Sequence, residues 1–282
     1  MSQDSPDDSP ADASDPTPDP TPGRAAASAT RPVALVTGPT AGIGRVFARR
    51  LAERGYDLVL VARDEARLKA LADELGAAYA VSCEVLVADL VDRAQLKRVE
   101  DRLADGQPPV DLLVNNAGFG LKRKFLANTV EQEQAHLDVL VTAPMRLTHA
   151  ALRQMTVRHT GGIINVSSVA GTQPRGSYSA AKAYLNRFGE WASYEYGRQG
   201  VRIMTLLPGF TRTEFHERME VGRDAVPKPL WLDVERVVDE ALRDFDAGKA
   251  RSVPSKRYKV IAGVSRHLPA SVLQRFQALG RR

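Results

Sequence analysis

From Pro32 onward, short runs rich in Val, Leu, Ile and Ala alternate with longer stretches in which apolar residues recur every three or four positions. Short continuous apolar runs suit strands buried on both faces, and the three-to-four spacing suits amphipathic helices laid over them. Strands are expected at Val33 to Thr37, Asp57 to Ala62, Ala78 to Ala88, Asp111 to Asn115, Gly162 to Ser167, Val201 to Leu207 and Arg251 to Val253. Helices are expected at about 42–54, 64–76, 92–105, 130–157, 177–199 and 233–247. Each right-handed crossover lays its helix back on one face of the sheet, so the pattern implies an α/β, doubly wound, mostly parallel sheet of seven strands in a single domain. No internal repeat interrupts it.

The ends of the chain read differently. Residues 1–30 are mostly Asp, Pro, Ser, Thr and Ala, with Pro6, Pro10, Pro16, Pro18, Pro20 and Pro22 spread through them, which reads as a disordered, acidic, proline-rich tail. The tail lacks the basic start and apolar core of a secretory signal and is too acidic for a transit peptide. The domain is expected over 31–255, with a lid over an apolar pocket at about 214–230, where Phe215, Met219, Val226 and Leu230 lie among charges. Residues 256–282 form a basic extension. In it Leu268, Val272, Leu273, Phe276 and Leu279 fall at helical spacing near Arg275, Arg281 and Arg282. Such a stripe packs on its own domain or on a second copy, or gives peripheral contact with an anionic membrane.

Composition narrows the partners. Hydrophobic residues make up 43% and charged residues 26%, and no apolar run is long enough to cross a bilayer. The formal net charge is +5, yet the first thirty residues hold six Asp and one Arg, so the remainder is strongly basic. A phosphate-rich cofactor and small substrates are sufficient partners for that charge, and no cluster of arginines with aromatics points to nucleic acid. The single cysteine, Cys83, can form no intramolecular disulfide, which suits a cytoplasmic protein, and its apolar neighbours suit a buried structural thiol. The five histidines lack metal-ligand spacing, so no metal is expected.

Two segments carry chemistry. Thr37-Gly38-Pro39-Thr40-Ala41-Gly42-Ile43-Gly44 follows the first strand and opens into a helix. Gly38 permits a tight turn, Gly42 lets backbone approach a pyrophosphate, and Gly44 lets helix pack closely on strand, while the helix N-terminus offers free N–H groups to an anion. At the end of the second strand stands Ala62-Arg63, with no carboxylate at Ala62 to repel a ribose 2′-phosphate and a guanidinium next to it that could bind one. The second segment is Tyr178-Ser179-Ala180-Ala181-Lys182. The four-residue spacing projects a phenol and an ammonium from one helix face, and a neighbouring cation lowers a phenol pKa that otherwise lies near ~10.

These segments, with Asn115-Asn116-Ala117-Gly118 and Pro208-Gly209-Phe210-Thr211-Arg212-Thr213 in the same order, resemble the short-chain dehydrogenase/reductase family over about Val33 to Val253. The resemblance implies a Rossmann-type fold and an NADP(H)-dependent oxidoreductase. Such an enzyme moves a hydride between the nicotinamide and a hydrophobic carbonyl or alcohol substrate. It implies Tyr178 as general acid in reduction and base in oxidation. Lys182 would hold the ribose hydroxyls and lower the tyrosine pKa, and Ser168 would bond the substrate oxygen, with Ser167 as the fallback. It further implies cofactor contacts from Gly38, Thr40, Gly42, Ile43, Gly44, Arg63, Asp89, Asn115, Ala117, Gly118, Tyr178, Lys182, Pro208, Gly209, Thr211 and Thr213. Among these, Asp89 faces the adenine edge, Asn115 and Gly118 line the adenosine pocket, and Thr213 anchors the nicotinamide end. A homodimer or homotetramer is expected.

Two departures stand out. The gap from Ser168 to Tyr178 is ten residues, shorter than the family usually has, so the loop over Thr172 to Ser177 is abbreviated. In the long helix before the fifth strand, Leu140 occupies the place where the family usually has an asparagine that holds a water linked to the lysine. Leucine relays no protons, which leaves Thr142 or His136 to organise that water. Alternatively, the chain is a low-activity cofactor-binding sensor or interaction protein that retains the fold.

Overall fold

The computed structural model describes residues 31–214 and 227–265. The expected tail at 1–30, most of the lid at 214–230 and the amphipathic stretch from 268 to 282 lie outside the described residues.

Seven parallel strands form one sheet in the order β3-β2-β1-β4-β5-β6-β7. They are β1 (Val33–Thr37), β2 (Asp57–Ala62), β3 (Cys83–Val87), β4 (Leu112–Asn115), β5 (Gly161–Val166), β6 (Val201–Leu206) and β7 (Arg251–Ser252). The helices are α1 (Gly42–Glu53), α2 (Glu65–Tyr79), α3 (Arg93–Ala104), α4 (Val130–Leu137), α5 (Ala143–Arg158), α6 (Ser177–Gly197), α7 (Val234–Asp246) and α8 (Lys256–Ser265). This is the doubly wound, Rossmann-like arrangement expected from the pattern.

Strand β1 shows why the arrangement holds. All five of its residues are buried: Ala34 and Val36 pack with Phe47 and Leu51 of α1, Leu68 and Leu75 of α2 and Val238 of α7 on one face. Val33 and Leu35 pack on the other face, in the core shared with Leu96 and Val99 of α3, Leu147 and Met155 of α5 and Ala192 of α6. The period-2 alternation of a strand thus feeds two cores at once. Strand order reverses between β1 and β4, and at such a switch point the loops leaving the carboxyl ends of neighbouring strands part to leave a crevice.

Three expectations need correction. The strand expected from Ala78 begins only at Cys83. Leu68, Leu71 and Leu75 keep the helix period going through Tyr79, and Ala80, at φ 53°, closes α2 by donating its N–H to the Gly76 carbonyl at 3.0 Å. The single helix expected over 130–157 is instead α4, a π-helical turn at Asp138–Thr142, and α5. Pro144 has no N–H to return to the Leu140 carbonyl, so regular α-hydrogen bonding cannot run through this point. Finally, Cys83 is half-buried rather than fully buried. Burial still pushes its thiol up to about 11, so it stays protonated and inert at neutral pH.

The stretch from 256 is joined to the domain at its start. Tyr258 of α8 is buried with Leu207 and Val253.

Candidate active site

Two loops meet at the switch point. Gly38, at φ 65°, turns the chain out of β1, and its N–H donates to the Val61 carbonyl at 2.8 Å. A side chain on Gly44 would collide with the Gly38 carbonyl and the Asn116 amide. One on Gly42, itself at φ 55°, would press on Thr213 at 3.1 Å. Helix α1 starts at Gly42 with Ala41 before it, no side-chain cap and no acidic residue in the first turn. Its first N–H groups therefore face the loop unscreened, and Thr40 and Ile43 are only partly buried beside them. The residues fit a dinucleotide pyrophosphate: a cradle that a Cβ would fill, at an open helix N-terminus. Arg63 and Asp89, from the ends of adjacent strands β2 and β3, come within 3.8 Å of each other, and Arg63 is 73% exposed. Asp64 beside it caps α2 by accepting from Arg67 N–H, which leaves the Arg63 guanidinium outside the helix.

In the β4 loop the division of labour differs from expectation. Asn115 does not offer its amide to an open adenosine pocket. It is 5% exposed and turned inward, donating to Asn165 Oδ1 at 2.9 Å and Thr148 Oγ1 at 3.2 Å, so that it braces β4 against β5 and α5. The positioning role falls to two residues outside the expected set. Asn116 Nδ2 donates to the carbonyls of Thr37 at 2.9 Å and Gly38 at 3.0 Å, and Thr37 Oγ1 accepts from the N–H groups of Asn116 and Ala117, both at 3.0 Å. The paired asparagines were the signal available in sequence, but which one turned inward was not. Gly118 lies next to Leu140, whose Cδ2 a Cβ there would meet at 2.9 Å. Leu140, Thr37, Asn115 and Lys182 line a small cavity of about 10 Å³, near the lower limit for one water.

The third loop, after β6, carries Pro208, Gly209, Thr211 and Thr213. Tyr258 packs its ring against Gly209 so closely that any side chain there would overlap it. Its hydroxyl accepts from the Phe210 N–H at 3.1 Å and donates to the Leu230 carbonyl at 2.7 Å. Thr211, buried, donates to the Gly209 carbonyl at 3.1 Å, and Thr213 donates to the Thr211 carbonyl at 3.4 Å with its methyl toward Gly42. Tyr258 is a positioning residue that sequence reading missed, because it lies beyond the last motif.

At the heart of the site Ser168, Tyr178 and Lys182 come together. Ser168 and Tyr178 share a side-chain hydrogen bond, and the Ser168 hydroxyl also accepts from Ala170 N–H at 3.0 Å. Ser167 is not interchangeable with it. Ser167 is buried and donates to the Lys182 backbone carbonyl at 2.9 Å, tying β5 to α6. The short Ser168–Tyr178 connection closes because Gly171 lets a single 3₁₀ turn, Val169–Thr172, lie directly on the backbone of Lys182. Burial pushes the Tyr178 phenol up to about 12, opposed by Ser168, and pushes the Lys182 ammonium down to about 8. Lys182 Nζ donates to the Val166 carbonyl at 2.8 Å and lies 5.8 Å from the Tyr178 ring centre, and the Ser168 hydrogen bond favours the phenolate. Among the described residues, no cluster of three or more His, Cys, Asp or Glu could hold a metal ion, and no helix is long and apolar enough to cross a membrane.

Known proteins share this fold. The short chain dehydrogenase family model matches residues 32–223. Sulfoacetaldehyde reductase 2 of Chromohalobacter salexigens is 35% identical over 207 residues, 71% of this chain and 81% of that protein. Among solved structures, a short-chain dehydrogenase from Sphingobium yanoikuyae in complex with NADPH is 34% identical, covers 84% of this chain and 94% of its own, and superposes with a TM-score of 0.78. The bulky-bulky ketone specific alcohol dehydrogenase from Comamonas testosteroni is 31% identical, covers 84% and 92%, and gives a TM-score of 0.73. With the sheet order, the glycine cradle and the family match in agreement, the chain belongs to the short-chain dehydrogenase/reductase family of oxidoreductases.

Proposed function

We propose that this protein is an NADP(H)-dependent reductase or dehydrogenase acting on a hydrophobic carbonyl or alcohol, with Tyr178 as general acid and base assisted by Ser168 and Lys182. The observation that carries the reading is the Ser168–Tyr178 hydrogen bond with Lys182 one helical turn further on.

The cofactor supplies or accepts the hydride. The chain supplies the proton and the charge balance. A phenol pushed to about 12 holds its proton at neutral pH and can give it to a developing alkoxide. Working in both directions requires its anion to be stabilised. Lys182, released from the Val166 carbonyl, is the cation within reach, and it could hold the ribose hydroxyls at the same time. Ser168 Oγ, already bonded to Tyr178, can donate to the same substrate oxygen. Arg63 supports a preference for the 2′-phosphorylated cofactor, as does the NADPH found in the Sphingobium relative. The bulky-ketone relative supports a large apolar substrate, while the sulfoacetaldehyde reductase makes a small anionic aldehyde the comparison to include.

Exposed Tyr184, Trp191 and Tyr194 on α6, with Tyr184 and Phe188 stacked at 5.6 Å, support a homodimer or homotetramer built on that face. We place the protein in the cytoplasm, with 1–30 as a tail, 31–255 as the oxidoreductase domain and 256–282 as the extension. Contact with a membrane would appear as vesicle binding lost on removing residues 268–282.

The test is consumption of NADPH, followed by its absorbance, against aldehydes, ketones and diketones, with NADH and Tyr178→Phe in parallel. Turnover with NADPH that vanishes in the variant supports the enzyme. Tight NADPH binding without turnover across the panel would replace it with a cofactor-binding sensor.

A further inference from the structure

Behind the catalytic phenol lies a buried pair of titratable side chains that the reaction described above does not use. His136, in the last turn of α4, is 0% exposed, and neither ring nitrogen makes a hydrogen bond. Its ring stacks on that of Tyr178, with centroids 6.0 Å apart and planes 30° apart, and meets the ring of Phe119 edge-on at 5.4 Å. One turn earlier on the same helix face, Glu133 is also buried. Asn128 Nδ2 holds its Oε1 at 2.8 Å, and its Oε2 has no partner. Buried polar atoms are nearly always paired, so three unpaired ones in one patch beside Tyr178 ask for a reason.

The groups facing His136 define its charge. Burial holds the imidazole neutral at neutral pH, Glu133 favours the cation and Lys182 of α6 opposes it. The Phe119 carbonyl lies near enough to favour the cation but is not aligned as a hydrogen-bond acceptor for either nitrogen. This balance changes when Tyr178 gives up its proton, because a phenolate then faces the imidazole and favours the imidazolium.

Resting on the reading of Tyr178 as the acid, we propose that His136 and Glu133 form the proton-return pair of this site. A proton from solvent enters at the Glu133 carboxylate and passes to the imidazole, Glu133 then steadies the imidazolium, and His136 passes that proton to the Tyr178 phenolate. The exchange balances: imidazolium and phenolate become imidazole and phenol, and the proton comes from water.

The experiment uses the full chain with NADPH and a substrate that it turns over. His136→Phe keeps a ring in the stack but carries no proton, and Glu133→Gln removes the charge. His136→Ala opens room for added imidazole, and Tyr178→Phe is the control. His136→Phe is expected to lower kcat about tenfold or more with little change in KM, and to alter the pH profile and the solvent deuterium isotope effect. Added imidazole should restore rate to His136→Ala. In the cofactor-free protein, the imidazole NMR signal that His136→Phe removes should titrate at lower pH than a free histidine, and lower still in Glu133→Gln. An unaltered kcat, pH profile and isotope effect in His136→Phe, with Tyr178→Phe inactive, overturns the proton-return pair and leaves the enzyme reading intact. A lowered kcat with an unmoved pH profile and no imidazole rescue also overturns it, since packing alone would then be the role. Full turnover in Tyr178→Phe overturns both. Should His136→Phe fail to fold, His136→Asn carries the same comparison.

Discussion

Lys182 donates its ammonium to the Val166 carbonyl at 2.8 Å, a bond from the second turn of α6 to the end of β5 that places a buried cation at the centre of the site. Its pKa is lowered to about 8 by burial, against ~10.4 in the unfolded chain. Between those values the unfolded state binds the proton that the folded state has released, so stability rises with pH across that window. Relative to Lys182→Met, the wild-type protein should gain up to about 1.4 kcal/mol per pH unit from pH 8 upward, levelling near the unfolded value. Urea unfolding of both proteins across the window checks this, and parallel curves would refute it.

Gly44→Ala should damage the cofactor site and the fold together. The added methyl meets the Gly38 carbonyl, which is backbone and cannot swing aside, and the Asn116 amide that holds the same loop. Overpacking of this kind costs about 1–3 kcal/mol. A lower unfolding midpoint and a weaker NADPH affinity by calorimetry are expected, and retention of both would show that the cradle is less tight than its geometry.

Asn116→Ala removes two donors from the carbonyls of Thr37 and Gly38. The expected loss is about 1–3 kcal/mol of stability together with weaker cofactor binding. Asn115→Ala should behave differently, costing stability through Asn165 and Thr148 while leaving the loops in register. Cofactor affinities measured under conditions where both variants are folded separate the two asparagines.

Tyr258→Phe keeps the ring over Gly209 but loses the hydroxyl bonds to Phe210 N–H and the Leu230 carbonyl. About 1–2 kcal/mol of stability should go with them. The larger effect is expected on substrate KM, because these bonds fix the loop that leads from β6 toward the stretch expected to cover the pocket. A KM equal to that of the wild type would count against the loop as part of the substrate site.

Several of these targets could not have been chosen from the sequence. Paired asparagines marked the β4 loop, yet Asn115 was expected at the cofactor and Asn116 turns out to hold the loops together. A side chain's direction at the end of a strand depends on the pleat and on the neighbouring strand, which local spacing does not encode. The pattern favours Ser168 and leaves Ser167 as a fallback, without saying where either side chain points. The strand alternation sends one into α6 and the other toward Tyr178. Tyr258 lies far beyond the motif it supports, and only the packing of α8 brings it back to Gly209.

What the chain determines by itself is local: the apolar periods that make seven strands and their helices, the glycines that permit a tight loop, and the tyrosine and lysine one helical turn apart. These follow from backbone sterics and side-chain spacing, and they were legible because each acts within a few residues. What only the tertiary structure decided is the electrostatic state of the site. Whether Lys182 faces Val166 or Tyr178, and whether His136 is solvated or sealed against the Tyr178 ring, depends on burial and on partners brought from distant segments. Desolvation sets both the Tyr178 and Lys182 pKa values, and it is a property of the packed whole.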